Sequence, residues 1–322
     1  MSSAGTVLVL ADRFDPTVDL AVEELNRRAV PVFRADVADF PLGLRLGAAL
    51  GASGWGGTLR SAHRTLHLND VHSVYYRRPG RPRVADDMAP DIRRIAEREA
   101  RLGFGGLLAA LPCRWLSPPG KAADAESKPL QLRVAAESAL SVPRTLITND
   151  PVAARDFAAC IPGRLVYKPF HPMRGTRNGR PAAVFTSMVD PADLPHPDIA
   201  TTAHLFQEWV PKAYEVRLTV VGERMFAAEI HSGSDRGRID WRSDYASHTY
   251  RVTQPPPAVA DGVLRMLAVL GLPYGAFDFV VTPEGQWVFL EVNPSGQYGF
   301  IEIATGLPIT AAIADYLEGT HA

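Results

Sequence analysis

The run FDFVVTPEGQWVFLEVNPSGQYGF, residues 277–300, constrains the fold more than any other part of the chain. Two strand-like stretches flank the turn cluster TPEGQ, which reads as a β-hairpin. With Glu284-Gly285 as a two-residue loop, Asp278 lies directly opposite Glu291. Alternation then gives one apolar face of Phe277, Phe279, Val281, Val288, Leu290 and Val292. The other face carries Asp278, Val280, Phe289, Glu291 and Asn293. Carboxylates opposed across a ladder repel unless a positive charge lies between them. Mg²⁺ takes oxygen ligands from a few carboxylates plus phosphates, and the Asn293 amide oxygen completes such a set. A solvated hairpin with a wet acidic face is the alternative, and a longer loop would shift the register.

At 322 residues, with 46% hydrophobic residues, the chain has room for two or three packed units. The balance of 34 basic against 35 acidic side chains gives no expectation of nucleic-acid or anionic-membrane binding. VLVLA near the start lacks a basic flank and reads as a buried strand, so a cytoplasmic protein without a membrane span is expected. Cys113 and Cys160 stand apart from each other and from any His cluster, which indicates reduced thiols without a zinc site.

Along the chain, TVLVLAD, a helix from Pro16 and PVFRADV form a βαβ opening, which points to a small doubly wound unit. Short strands follow, ending at Tyr75-Tyr76-Arg77-Arg78, and then a charged helix. CRWLSPPGKAADAESK is rich in Pro, Ser and Gly and marks a boundary. The expected units are 1–115, 116–205 and 206–322, in an α/β fold. Downstream, KPLQLRVAAESAL is a helix, RTLIT and RLVYKPF are strands, HPMRGTRNGRP is a loop and QPPPAVADG a linker. GVLRMLAVLGL and ITAAIADYLEG are helices.

GAFDFVV followed by FLEVNPSGQYG resembles the metal-binding motif of ATP-grasp ligases, with Asp on one strand and Glu-x-Asn on the next. The likeness extends upstream, in order, through ESKPLQLRVAAESALSVPRTLIT, RLVYKPF and LFQEWVPKAYEVRLTVVGERMFAAEI, and covers about residues 115–320. It implies an ATP-grasp fold with Asp278, Glu291 and Asn293 as Mg²⁺ ligands. Lys128 and Lys168 would neutralise ATP phosphates. The backbone of Glu208 and Val210 would hold adenine, and Glu215 would face ribose unless it is a solvent-facing strand residue. Arg217, with Lys168, would stabilise the transferring phosphoryl group, the alternative being a structural ion pair. Residues 171–180 resemble a flap over the triphosphate, with Gly175 and Gly179 as pivots. No P-loop and no G-x-G-x-x-G stretch supports a rival nucleotide fold.

The N-terminal stretch, VYYRRPGRP, IDWRSDY and the closing helix look like the peptide-modifying branch, the graspetide synthetases. That likeness implies a small pre-ATP-grasp domain at the N-terminus. It also implies activation of Asp or Glu side chains of a ribosomal precursor peptide as acyl phosphates, then closure of macrocyclic esters or amides. Arg77, Arg78 and Arg242 are the candidates for holding substrate carboxylates; a structural strand end beside Pro79 is the alternative for the first two. The central unit, near residues 181–205, would dock the leader segment of the precursor, whose core segment is modified, and a homodimer is implied. A glutamate-adding ligase, a small-metabolite ligase and a non-catalytic ATP-binding regulator are the alternatives.

Overall fold

The computed structural model describes residues 5–319 other than 171, 172, 178, 179 and 185, and for residues 173–177, 180–184, 236, 243 and 245 it describes the backbone only. The apolar run at the start becomes β1 (Thr6–Ala11), buried almost throughout. It is followed by α1 (Pro16–Arg27), whose first turn is capped by Asp15, and β2 (Val32–Ala35). Strands β3 (Arg45–Gly51), β4 (Gly54–Arg60) and β5 (Thr65–His67) form a separate antiparallel sheet. Then come β6 (Val71–Arg77), α2 (Pro90–Ala109) and β7 (Arg114–Leu116). Strands β1, β2, β6 and β7 make one parallel sheet in the order β2-β1-β6-β7. A boundary between residues 115 and 116 would cut β7, whose backbone pairs with β6 through Leu116. CRWLSPPG thus starts with a strand, because Trp115 and Leu116 supply what its prolines do not.

The middle of the chain contains α3 (Pro119–Ala125), α4 (Lys128–Glu137), β8 (Thr145–Thr148), α5 (Pro151–Ala159) and β9 (Leu165–Lys168). The stretch HPMRGTRNGRP, expected to be a loop, contributes instead to an antiparallel ribbon of β10 (Met173–Arg177) and β11 (Arg180–Val184). Positions 171, 172, 178 and 179 of the expected flap, with Gly179 among them, lie outside the described residues. Strands β12 (Ser187–Val189) and β13 (His204–Glu208) complete a sheet in the order β12-β9-β13-β8.

The last part builds a five-stranded antiparallel sheet. It uses β14 (Tyr214–Val221), β15 (Arg224–Ser232), β16 (His248–Thr253), β17 (Tyr274–Val281) and β18 (Trp287–Asn293), in the order β16-β15-β14-β17-β18. A short helix, α6 (Asp235–Ile239), and α7 (Pro257–Leu270) are interposed. PAVADG, expected to be linker, forms the first turns of α7 because Pro257 sits at its first position, where no N–H is needed. Helices α8 (Gly299–Thr305) and α9 (Ile309–Glu318) close the chain. No helix among the described residues is long and apolar enough to cross a membrane.

Two cores position the site. One face of the five-stranded sheet, with Val216, Leu218, Phe277, Phe279, Trp287, Phe289 and Val292, packs on α4 and α7. Beyond its polar part, the opposite face joins α1, α8 and α9 and one face of the N-terminal sheet in a second core containing Val7, Val9, Tyr274, Ala276 and Ile313. Helix α4 is also tied to β18 by Gln131. Its side-chain amide donates to the Val292 carbonyl at 2.9 Å and accepts from the Val292 N–H at 2.9 Å. One glutamine so completes both backbone groups of an edge-strand residue beside Glu291.

Candidate active site

The hairpin register places Asp278 opposite Glu291 and Ala276 opposite Asn293. The loop differs from the expected two residues. The Thr282 N–H donates to the Gln286 carbonyl, and Gly285 takes φ +84°, so Pro283-Glu284-Gly285 is a three-residue loop. Near the turn, Phe279 therefore faces Phe289, and Val281 faces Trp287. The register shifts back between Phe279 and Asp278, with Leu290 as the extra residue. The bulge restores the carboxylate pairing and corrects the face assignment, since Phe289 and Trp287, rather than Leu290 and Val288, join the apolar core.

On β14 the even positions Val216, Leu218 and Val220 enter the core, so Glu215, Arg217 and Thr219 share the polar face with Asp278. Arg217 lies opposite Asp278 and donates Nη1 to Asp278 Oδ1 at 2.8 Å and Nη2 to the Gln297 carbonyl at 3.0 Å. Both side chains are buried. Burial pushes Asp278 above the usual carboxylate range, Arg217 pulls it down and Glu291 adds to the rise.

Glu291 receives Lys128 Nζ on Oε2 at 2.6 Å and Arg242 Nη1 on Oε1 at 3.0 Å. Burial alone would raise its carboxyl, but Lys128 and Arg242, with Lys168 behind them, hold it well below the usual range. Lys128 reaches it because it opens α4, which packs against the edge strand. Arg242 is gripped by Asp240, with Nε to Oδ1 and Nη2 to Oδ2 both at 2.8 Å. Burial works against the Arg242 charge, and Asp240 and Glu291 outweigh it. Lys168, at the end of β9, feels Glu291, Lys128, Arg242 and Asp240, yet no carboxylate of the described residues pairs with it within 4.0 Å. Burial pushes its ammonium down to about 8.

Glu215 is buried, accepts from Lys212 with one oxygen, and its Oε2 has no hydrogen-bond partner. Burial raises its carboxyl to about 7, against the pull of Lys212. Glu208 and Val210 lie half-buried at the end of β13. The Glu208 N–H donates to the Arg144 carbonyl and the Trp209 N–H to the Arg164 carbonyl, which anchors this crossover between the sheets. Lys212 Nζ stands 5.0 Å over the Trp209 ring.

Arg77 and Arg78 part company. Strand alternation turns Arg77 inward with Tyr75, and it is 1% exposed. Its Nη1 donates to the carbonyls of Ser295 at 2.8 Å and Gly296 at 2.9 Å, and its Nε lies 3.0 Å from Asp15 Oδ2. Arg77 is thus buried and engaged by the protein through Nη1, while its Nε and Nη2 have no hydrogen-bond partner. Arg78 is exposed, and its backbone takes φ +44°, a left-handed conformation uncommon outside glycine and asparagine. That turn sends consecutive arginines to different environments. Asp240, Asp15 and Gln131 were not singled out from the sequence. The Asp-x-Arg spacing at 240–242 was the signal for the first, and the N-cap position before Pro16 for the second.

No group of three His, Cys, Asp or Glu among the described residues surrounds a metal position. Two carboxylates and an amide, with cations arrayed beside them, suit a magnesium ion that keeps part of its shell for phosphate oxygens, and not a protein-only cage. The unpartnered Glu215 oxygen and the unpaired Lys168 ammonium fit a ligand with hydroxyl donors at one end and anionic oxygens at the other.

A family model described as the MvdD pre-ATP grasp domain matches residues 6–123. A RiPP-associated ATP-grasp ligase of Chryseobacterium gregarium, solved with ADP and a leader and core peptide, superposes with a TM-score of 0.90 at 26% identity, covering 99% of this chain and 98% of that one. Macrocyclase MdnC of Microcystis aeruginosa MRC, bound to precursor peptide MdnA, gives 0.84 at 30% identity over 98% and 99% of the two chains. Macrocyclase MdnB of the same organism gives 0.81 at 32% identity over 97% and 99%. No curated protein matches the chain by sequence.

Proposed function

Since the chain belongs to the ATP-grasp ligases of the graspetide-synthetase type, we propose that it uses ATP to activate Asp or Glu side chains of a ribosomal precursor peptide and closes them onto Ser, Thr or Lys side chains. The observation that supports this best is the junction at Glu291, where Lys128, Arg242 and the unpaired Lys168 surround a carboxylate opposite Asp278. In the proposed reaction a substrate carboxylate oxygen attacks the γ-phosphorus, and the bond to ADP breaks. A hydroxyl or amine then attacks the acyl phosphate carbon, loses its proton and expels phosphate, so one water is lost per bond formed.

Asp278, Glu291 and Asn293 would hold magnesium, which when bound would supply positive charge against the negative charge of the phosphates. Lys128 and Lys168 would hold phosphate oxygens, and Arg217 would fix the γ-phosphoryl group while opposing the rise that burial imposes on Asp278. The unpartnered Glu215 oxygen would accept from the ribose, with adenine against the Glu208–Val210 backbone. Exposed Arg78 and half-buried Arg242 would take substrate carboxylates. The segment 181–205 would dock the leader, in the unit at 116–205, and the enzyme would act as a cytoplasmic homodimer.

Co-expression with short reading frames that neighbour its gene, followed by mass spectrometry, tests the reading. Loss of one water per ring is expected, whereas gain of an amino-acid mass would point to a residue-adding ligase on the same ATP site. ATP binding without ADP release on any such peptide would point to a regulator. Arg78→Ala should lower cyclisation about 10-fold while ADP affinity stays unchanged. An equal loss of both would mean that Arg78 acts structurally.

Lys168 gives a pH signature. Between about 8 and its ordinary 10.5, the unfolded chain holds a proton that the folded one has lost. Burial of this lysine therefore lowers stability below pH 8, and the loss is relieved as pH rises through that window. A phosphate against Lys168 restores its charge, so ADP binding near pH 8.5 should take up a proton. Calorimetry in two buffers of different ionisation enthalpy measures this, and Lys168→Met should remove it.

A further inference from the structure

Open parallel sheets take ligands at the carboxyl ends of their strands. In the N-terminal sheet that edge, at the ends of β1, β6 and β7, is filled by the chain's own segment Pro294–Gln297, which directly follows Glu291 and Asn293. All four residues of the segment are held by side chains of the N-terminal layer. Ser117 Oγ donates to the Pro294 carbonyl at 2.5 Å. Arg77 Nη1 binds the carbonyls of Ser295 and Gly296, and Thr17 Oγ1 donates to Gln297 Oε1. From the catalytic sheet, Tyr274 Oη donates to the Gly296 carbonyl at 2.8 Å and Arg217 Nη2 to the Gln297 carbonyl at 3.0 Å. The segment packs so closely that a Cβ on Gly296 would strike Ala276 and come within 3.0 Å of Asn293 Cβ and 3.2 Å of Arg217 Nη2.

The geometry assigns to Asp15 and Arg77 the role of a positioning couple that fixes Pro294–Gln297 and, through it, Arg217 and the spacing of Asp278 from Glu291 and Asn293. Asp15 joins the two sides. Its Oδ1 accepts from the N–H groups of Thr17 and Val18 at the start of α1, while its Oδ2 faces Arg77 Nε. Arg77 is suited to the task because its rigid planar group puts Nη1 on both carbonyls while Nε stands 3.0 Å from Asp15 Oδ2, coupled to it by charge and not by a hydrogen bond, a spacing that an ammonium on a flexible stem does not hold. The N-terminal layer is thereby part of the nucleotide site without touching the nucleotide, and neither residue is catalytic.

This inference rests on the proposed magnesium-nucleotide role of Asp278, Glu291 and Asn293. The test is calorimetric titration of the full chain with ADP, in Mg²⁺ and in EDTA, with thermal unfolding in parallel. In Arg77→Lys the affinity gained from Mg²⁺ should fall about 10-fold, while the affinity in EDTA stays within about 2-fold. Asp15→Asn, which keeps the helix cap, should lose about 3-fold of that gain and carries the test if Arg77→Lys does not fold. Ser117→Ala, which frees only Pro294, should keep the gain within about 2-fold. Retention of the gain in Arg77→Lys, or in Asp15→Asn when that variant carries the test, overturns the couple. A parallel fall in both affinities, or an equal loss in Ser117→Ala, does the same and leaves only general loop stability. A wild-type chain whose ADP affinity ignores Mg²⁺ overturns the reading of the site and the couple with it.

Discussion

Replacing Glu291 by Gln should lower ADP formation by about 100- to 1,000-fold and leave a folded chain. The carboxylate is the acceptor for Lys128 at 2.6 Å and Arg242 at 3.0 Å, and it faces Asp278 across the bulged ladder. Glutamine keeps the shape, but it offers one acceptor and one donor to two cationic donors. One of the two must lose its partner, so stability should fall by about 1–3 kcal/mol. The proposed magnesium position also loses one of its two anionic ligands, and the affinity for ADP should cease to rise with Mg²⁺. Phosphate release assays, calorimetry and urea unfolding separate these effects. ADP formation at near wild-type rate, or an undiminished response to Mg²⁺, would show that Glu291 has no part in binding the metal.

Arg217→Ala should be the most destabilising change at the site. Arg217 is 4% exposed and its guanidinium lies on Asp278, which is itself 6% exposed. Breaking a buried pair from one side leaves an uncompensated charge and costs about 3–5 kcal/mol. Asp278 is already raised by burial, with Arg217 as the largest opposing influence, so removing Arg217 raises it further. Protonated Asp278 carries no charge to strand. The loss measured by urea unfolding should therefore be largest at high pH and shrink as pH falls through the raised range of Asp278. Adding Asp278→Ala to Arg217→Ala should recover part of it. A loss of the same size at high and at low pH would mean that the Gln297 contact, and not the ion pair, carries the effect. ADP formation should be abolished in either background.

In the hairpin, two departures from the pattern expected of the sequence offset each other. A two-residue loop was expected, and the extra loop residue alone would have moved Glu291 off Asp278. The bulge at Leu290 moves it back. Alternation did not reveal the bulge, since Phe289 and Leu290 are both apolar and either satisfies the pattern. What separates them is the packing of Phe289 between Phe277 and Phe279 on the core side, with ring centroids 6.1 and 5.8 Å away. Arg77 and Arg78 make a similar point. Period-two alternation puts Arg77 on the face of Tyr75, but only the segment Pro294–Gln297, more than two hundred residues away, turns that face into a binding surface for the guanidinium.

The local choices belong to the sequence. Apolar runs specified the strands, Asp15 and Pro16 started α1, and the order of lysine, hinge and carboxylate motifs pointed to an ATP-grasp arrangement. Those signals act over a few residues through backbone sterics, capping and alternation. Contacts between distant segments were settled by tertiary packing: Lys128 and Arg242 on Glu291, Gln131 along β18, and the N-terminal layer around the segment after Asn293. Each depends on where one packed layer meets another, and the summed shape of two cores sets that.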